Sequence, residues 1–424
     1  MLALLLAASA AWGARWIVPA DTPTGFAVIE ADVRPQTAAG WAYRDRPVRL
    51  PPVEVPSPLQ AAAARANPDL DPDNGQELRA HAANRIAELH VLGLNGEGVV
   101  VAVLDTGLAA SASRVAVSGT WPAAGSADRY GHGTAVCGVI AGVPGSAAAK
   151  YVGLAPGTDL LIGKVLGDDG SGFESDVIAG LNWAAEQGTQ VVNLSLGSTP
   201  SDEPDPLELA CEALVRKGII VVCAAGNAGY GYPLGEDVPY QIGSPACSAL
   251  VTCVGSVSGD DRLSGFSSCG PSVRGHPAPD FVAFGHIVPL AFGEGTTMLR
   301  EATLCGTSGY RPASGTSFAC PYVAGLAALW LSAGGAAADF ERVFGETCTQ
   351  NVGQLPTGVE KANACGAGVL RAYDAFERAG LLPQPPEPPT PGDGHGCGGV
   401  GKAVWGVLVL VVICRAGARR RRRQ

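Results

Sequence analysis

"VVVAVLDTG", residues 99–107, is the stretch on which the fold turns. Val99 to Leu104 is an unbroken apolar run dominated by β-branched valine. Such a run, without alternation, marks a strand buried on both faces, as in a parallel sheet. Its polar residues come only at the carboxyl end, as Asp105-Thr106-Gly107. "DLLIGKVLG" (159–167), "QVVNLSLGS" (190–198) and "GIIVVCAAGN" (218–227) repeat the pattern. Helical patterns lie between them, in "FESDVIAGLNWAAEQG" (173–188) and "PLELACEALVRKG" (206–218). Strands alternating with helices predict an α/β fold built on a parallel sheet. Ligands of such sheets bind beyond the carboxyl ends of the strands, where Asp105, Ser195 and Asn227 all fall.

The chain has 424 residues, enough for at least one large core, and 58 glycines against 6% aromatics. Its net charge is −10, although Arg415 and Arg419 to Arg423 crowd the C-terminus, so the rest is more acidic still. That balance speaks against a nucleic-acid partner. Twelve cysteines, with no Cys-x-x-Cys pair, suggest an exported protein with some disulfides. Cys348 and Cys365 are the favoured pair, while Cys137 and Cys320, in apolar helical patterns, are expected to be buried thiols.

The ends carry signals of their own. "MLALLLAASAAWGA" (1–14) resembles a short signal peptide. Residues 15–80, rich in Pro, Ala and Asp, have no strong periodicity and suit a pro-segment or irregular extension. The main domain is expected over 81–380, with a stiff Pro-rich linker at 381–396. In the tail, 397–424, the apolar run Ala403 to Cys414 is followed by arginines. Counted from Gly398, at ~1.5 Å per residue, it spans roughly 26 Å, enough for a marginal membrane segment with the arginines in the cytoplasm.

A serine hydroxyl is a poor nucleophile until a base takes its proton. A histidine suits that task, and a buried carboxylate can fix its tautomer. An asparagine amide can meet the oxyanion. Asp105 closes the first strand, His132 stands in "YGHGTAVCGVIAG" (130–142), Asn227 in "VVCAAGNAG" (221–229) and Ser317 in "SGTSFACPYVAGLAALW" (314–330). Ser317 opens an apolar helix, with Pro321 expected in its first turn. Gly-Thr-Ser also occurs at 306–308, but Ser308 is followed by "GYRPAS", which has no helix pattern.

The order Asp105, His132, Ser317 with these flanks resembles the subtilisin-like serine proteases, the subtilases. The resemblance covers about residues 81–380 and implies a three-layer subtilisin-like α/β fold with a central, mostly parallel sheet flanked by helices. It implies a serine endopeptidase with Ser317 as nucleophile, His132 as general base and acid, Asp105 as orienter and Asn227 as oxyanion donor. "NLSLG" makes Ser195, Leu196 and Gly197 one substrate edge and pocket wall. "KVLGDDGSGF" resembles the opposite edge and implies Ser171 and Gly172 there, while Ala224, Ala225 and Gly226 are implied as the second wall. A peptide would lie between the edges as an added antiparallel strand. No acidic cluster lines the pocket, which points to an apolar or aromatic residue before the scissile bond, not a dibasic one. The resemblance implies no catalytic cofactor. Structural calcium is possible in the family, but "GVPGSAAAKYVGLAP" (142–156) has no Asp, Asn or Glu to bind it, and the metal ligands are unknown. The expected partners are polypeptides, for a protein acting as a monomer. The tail resembles C-terminal sorting signals of bacterial surface proteins, especially the myxobacterial type, which implies a sorting protease and display or release at the cell surface. One alternative is a catalytically dead binding module, which loss of Asp105, His132 or Ser317 would have favoured; another is a non-peptidase serine acyl hydrolase on a different α/β fold, whose Gly-x-Ser-x-Gly elbow and Ser, Asp, His order do not fit these residues.

Overall fold

The computed structural model describes residues 14–31, 42–54, 79–109, 117–122, 125–142, 152–229, 242–291, 293–298, 310–353 and 355–383. The strands are β1 (Ala14–Pro19), β2 (Phe26–Ala31), β3 (Tyr43–Arg44), β4 (Pro47–Arg49), β5 (Val100–Asp105), β6 (Val117–Trp121) and β7 (Asp159–Lys164). They continue with β8 (Ser171–Phe173), β9 (Val191–Leu194), β10 (Ile220–Ala224), β11 (Thr252–Val257), β12 (Phe281–Phe284), β13 (Val288–Ala291) and β14 (Tyr310–Ala313). The helices are α1 (Arg79–Asn84), α2 (Ile86–Val91), α3 (His132–Ala141), α4 (Glu174–Glu186) and α5 (Pro206–Val215). After them come α6 (Thr316–Ser332), α7 (Phe340–Thr347), α8 (Lys361–Cys365) and α9 (Ala372–Arg378).

The central sheet has seven strands in the order β12-β11-β10-β9-β5-β7-β6, and all its pairings are parallel. Strand alternation sorts its side chains into two layers. Val101 and Val103 join the core built with α3 and α6, while Ala102 and Leu104 join the core built with α4 and α5. The result is the expected three-layer α/β fold. From β5 the chain crosses to the sheet edge with β6, steps back beside β5 with β7, then passes to the other side of β5 with β9. The order reverses between β5 and β9, and a crevice opens there at the carboxyl ends.

Helix α6 is buried from Thr316 to Trp330, so it is apolar all round. Pro321 is its sixth residue, inside the helix and beyond the first turn expected for it. Proline has no N–H for the carbonyl four residues back, that of Ser317. The Ser195 hydroxyl donates to that carbonyl instead, at 2.8 Å.

The N-terminal region is more ordered than its sequence suggests. β1 pairs antiparallel with β2 and β3, and β4 pairs antiparallel with β8 of the main body. The expected disulfide is a correction: all nine described cysteines are free thiols, Cys348 and Cys365 included. The Cys365 thiol donates to the Lys361 carbonyl of its own helix, and main-chain bonds between Thr349 and Val369 close the loop. Cys137 and Cys320 are buried thiols, as their helical pattern predicts. Among the described residues no helix is long and apolar enough to cross a membrane. Residues 1–13, most of 142–156, Ser308, most of the linker and the whole tail lie outside the described residues.

Candidate active site

Asp105 ends β5, and His132 begins α3, where Gly131 precedes it in the left-handed region (φ 110). Both side chains are buried. His132 Nδ1 lies 2.9 and 3.0 Å from the two oxygens of Asp105. A carboxylate facing Nδ1 places the ring proton there and leaves Nε2 as the basic lone pair. Nε2 is buried and has no hydrogen-bond partner among the described residues.

Asp128, which the motif reading passed over, sets this geometry. It accepts from Gly131 N (2.6 Å), Thr134 N (2.9 Å), Thr134 Oγ1 (2.6 Å) and Thr106 Oγ1 (2.9 Å). Thr106 Oγ1 in turn accepts from Gly133 N at 2.9 Å. These bonds satisfy free amides at the start of α3 and tie it to the end of β5. The only sequence signal was an acid four residues before His132.

Ser317, the second residue of α6, is buried and donates its hydroxyl to the Ser195 carbonyl at 3.3 Å. The Phe318 ring beside it lies 5.5 Å from the His132 ring, centroid to centroid. The Ser317 hydroxyl is not bonded to His132 Nε2 in this state. Asn227 follows β10, with its Oδ1 fixed by Thr316 N (2.9 Å) and Thr316 Oγ1 (2.8 Å). That bonding aims Nδ2 outward. A Cβ on Gly315 would come within 3.1 Å of Nδ2, so glycine keeps the approach open.

Main chain occupies this approach. Asn227 Nδ2 donates to the carbonyl of Pro52 at 2.7 Å. Pro47, Val48 and Arg49 pair with Phe173, Gly172 and Ser171. Arg49 also exchanges two main-chain bonds with Gly197 (3.0 and 3.1 Å), and Leu50 N donates to Gly170 O at 3.2 Å. Beyond Pro52, Glu54 exchanges two bonds with Ser314, at 3.0 and 2.8 Å. Residues 47–54 thus run between the edges predicted for a substrate, with Val48 fully buried. Ser195, Leu196, Ala224 and Ala225 are buried beneath the crevice, and Gly226 N donates to Thr316 Oγ1 at 3.2 Å.

The subtilase family model matches residues 96–343, more than half of the chain. The chain belongs to the subtilase family. M-protease of Shouchella clausii (strain KSM-K16) is 37% identical over 243 residues, 57% of this chain and 56% of that protein. Subtilisin Savinase of Lederbergia lenta is also 37% identical over 243 residues, which make up 78% of its length. Serine protease AprX of Bacillus subtilis (strain 168) is 34% identical over 267 residues, 58% of its length. The match to M-protease thus spans little more than half of that relative.

Acidic residues near the cleft were also missed. Glu174 opens α4 and Asp205 caps α5, both buried, and both meet the guanidinium of Arg46. A metal site is not among the features found: the described residues hold no group of three or more His, Cys, Asp or Glu side chains placed for one. Asp260 and Asp261 sit on a turn, where Asp261 pairs with Arg371.

Proposed function

We propose that this subtilase is an exported serine endopeptidase whose cleft is closed, before processing, by its own residues 47–54. What carries the reading is the Pro52 carbonyl, 2.7 Å from Asn227 Nδ2, in an extended segment hydrogen-bonded on both sides of that point. An amide donor aimed at a main-chain carbonyl is the arrangement that acyl transfer requires.

For a substrate in the same place, Ser317 Oγ attacks the carbonyl carbon while His132 Nε2 takes its proton. Asp105 holds the imidazole by Nδ1 and steadies its positive charge. The tetrahedral oxyanion accepts from Asn227 Nδ2. Collapse breaks the C–N bond, and His132 gives the proton to the leaving amine. Water repeats the sequence, releases the acid and restores Ser317. Ser171, Gly172 and Gly197 hold the strand through main-chain bonds that are blind to side chains. Leu196 and Ala224-Ala225-Gly226 make a wall suited to an apolar or aromatic side chain before the scissile bond.

The segment suits a latent form. By the Arg49–Gly197 register the residue facing Ser195 is Pro51, which has no N–H for the Ser195 carbonyl, and that carbonyl takes the Ser317 hydroxyl. Residues 15–80 then act as a pro-segment, after a signal peptide at 1–14, ahead of a catalytic domain at 81–380. The Pro-rich linker and the arginine-ended tail support surface sorting, with display at the membrane or release after cutting near Cys397.

Labelling with a fluorophosphonate after removal of the N-terminal segment tests the reading. Label on Ser317 is expected, lost in Ser317→Ala and kept in Ser308→Ala. No label on folded, processed protein would overturn it and favour a binding module.

A further inference from the structure

The cleft does not end at Val48. Arg46 continues the ladder, since its carbonyl accepts from Glu174 N at 2.9 Å. Its guanidinium turns into the main body. Nη2 lies 2.6 Å from Glu174 Oε1, and Nε bonds the same oxygen at 3.0 Å. Nη2 also lies 2.5 Å from Asp205 Oδ2, an ion pair formed without hydrogen-bond alignment.

The two carboxylates belong to different elements of the catalytic body. Glu174 opens α4, where the helix dipole favours an anion, and its Oε1 also accepts from Ser198 Oγ at 3.1 Å. Asp205 caps α5 by accepting Glu208 N through Oδ1 at 2.9 Å, which leaves Oδ2 for the cleft. Their side chains are 0% and 3% exposed, and Glu174 Oε2 has no hydrogen-bond partner among the described residues. Burial holds the Glu174 carboxyl up at about 7 even beside Arg46. Two acids buried together at a cleft wall are costly unless a cation fills the space between them. A planar guanidinium can face both at once, which an ammonium point charge does less well.

We propose that Glu174 and Asp205 form an arginine-selecting subsite of the cleft, which reads the substrate side chain two residues N-terminal to the one opposite Gly172. This rests on the peptidase reading above, with Arg46 as the occupant of the subsite in the latent chain. It gives the far end of the cleft a side-chain preference that the main-chain ladder cannot supply.

The test uses processed enzyme, its N-terminal segment cut away (by an added protease in the Ser317→Ala variant), so that neither residues 47–54 nor the guanidinium of Arg46 fills the cleft. Two internally quenched peptides copy residues 43–54 with alanine in place of Pro51 and Pro52. They differ only in arginine or its neutral isostere citrulline at the position of Arg46. Cleavage is compared by kcat/KM, and binding by fluorescence anisotropy in a Ser317→Ala background. Arginine is expected to be favoured at least about tenfold in both. Adding Glu174→Gln and Asp205→Asn, of which the latter keeps a helix cap, should bring the ratio close to one. Equal cleavage or equal binding of the two peptides would overturn the subsite, as would failure of both to bind. Tighter binding of the arginine peptide with no cleavage of either would keep the subsite and sink the peptidase reading.

Discussion

The gap in α6 at Pro321 makes a sharp test of how the helix that carries Ser317 is held. Ser195→Ala removes the hydroxyl that serves the Ser317 carbonyl, and it also removes the acceptor of Asn193 Nδ2, 3.0 Å away. Both groups are buried, and leaving a buried group unsatisfied costs about 1–3 kcal/mol. The change should therefore cost about 2–4 kcal/mol against Pro321, allowing for partial relaxation. With Pro321→Ala, the new N–H can serve the Ser317 carbonyl, so Ser195→Ala then costs only the Asn193 share, about 1–2 kcal/mol. The difference, on the order of 1–2 kcal/mol, is the coupling in a double-mutant cycle. Guanidinium unfolding followed by circular dichroism, with every variant carrying Ser317→Ala to prevent self-digestion, measures the four corners. Equal costs of Ser195→Ala in the two backgrounds would show that the hydroxyl does not stand in for the missing helix bond.

Asn227→Ala should lower kcat of processed enzyme roughly 10²–10³-fold with KM little changed, the loss known for such a donor in subtilisin itself; steady-state kinetics checks it. Asp128→Ala strips four acceptor bonds from the start of α3. It should destabilise the fold by roughly 2–4 kcal/mol and slow Ser317 labelling, whereas Asp128→Asn should do less; urea midpoints and labelling rates separate the two. Arg46→Ala in the full chain should speed fluorophosphonate labelling of Ser317 several-fold at pH 8 and less at pH 6. The Glu174 carboxyl is raised by burial from 4.5 to about 7, so below that range it is protonated and the clasp on Arg46 is already weakened. The same shift means that this group's contribution to fold stability is full below about pH 4.5 and fades as pH rises through about 7. A labelling gain that grew on acidification would contradict the ion-pair account.

The layers of the fold and the main site candidates were legible because their signals are local. Val99 to Leu104 declares a doubly buried strand within one short run, and "GHGTAVCGVIAG" and "GTSFACPYVAG" each hold a candidate residue and its distinctive flanks within a few positions. The features that escaped depend on partners far away in the chain. Arg46 and Glu174 are 128 positions apart, and neither shows in isolation that it faces the other. The role of Pro321 depends on Ser195, 122 positions before the serine whose carbonyl it leaves open. Residues 47–54 escaped for another reason. A strand added to an existing edge gains its energy from main-chain bonds, so it needs neither alternation nor high β-propensity, and Pro47, Pro51 and Pro52 are tolerated where the ladder takes no donor from them. A cleft that recognises main chain therefore leaves almost no imprint on the sequence of its occupant. The exceptions are the side chains that pack into the main body, here Val48, Leu50 and Arg46, and selectivity along this stretch is expected to reside in them.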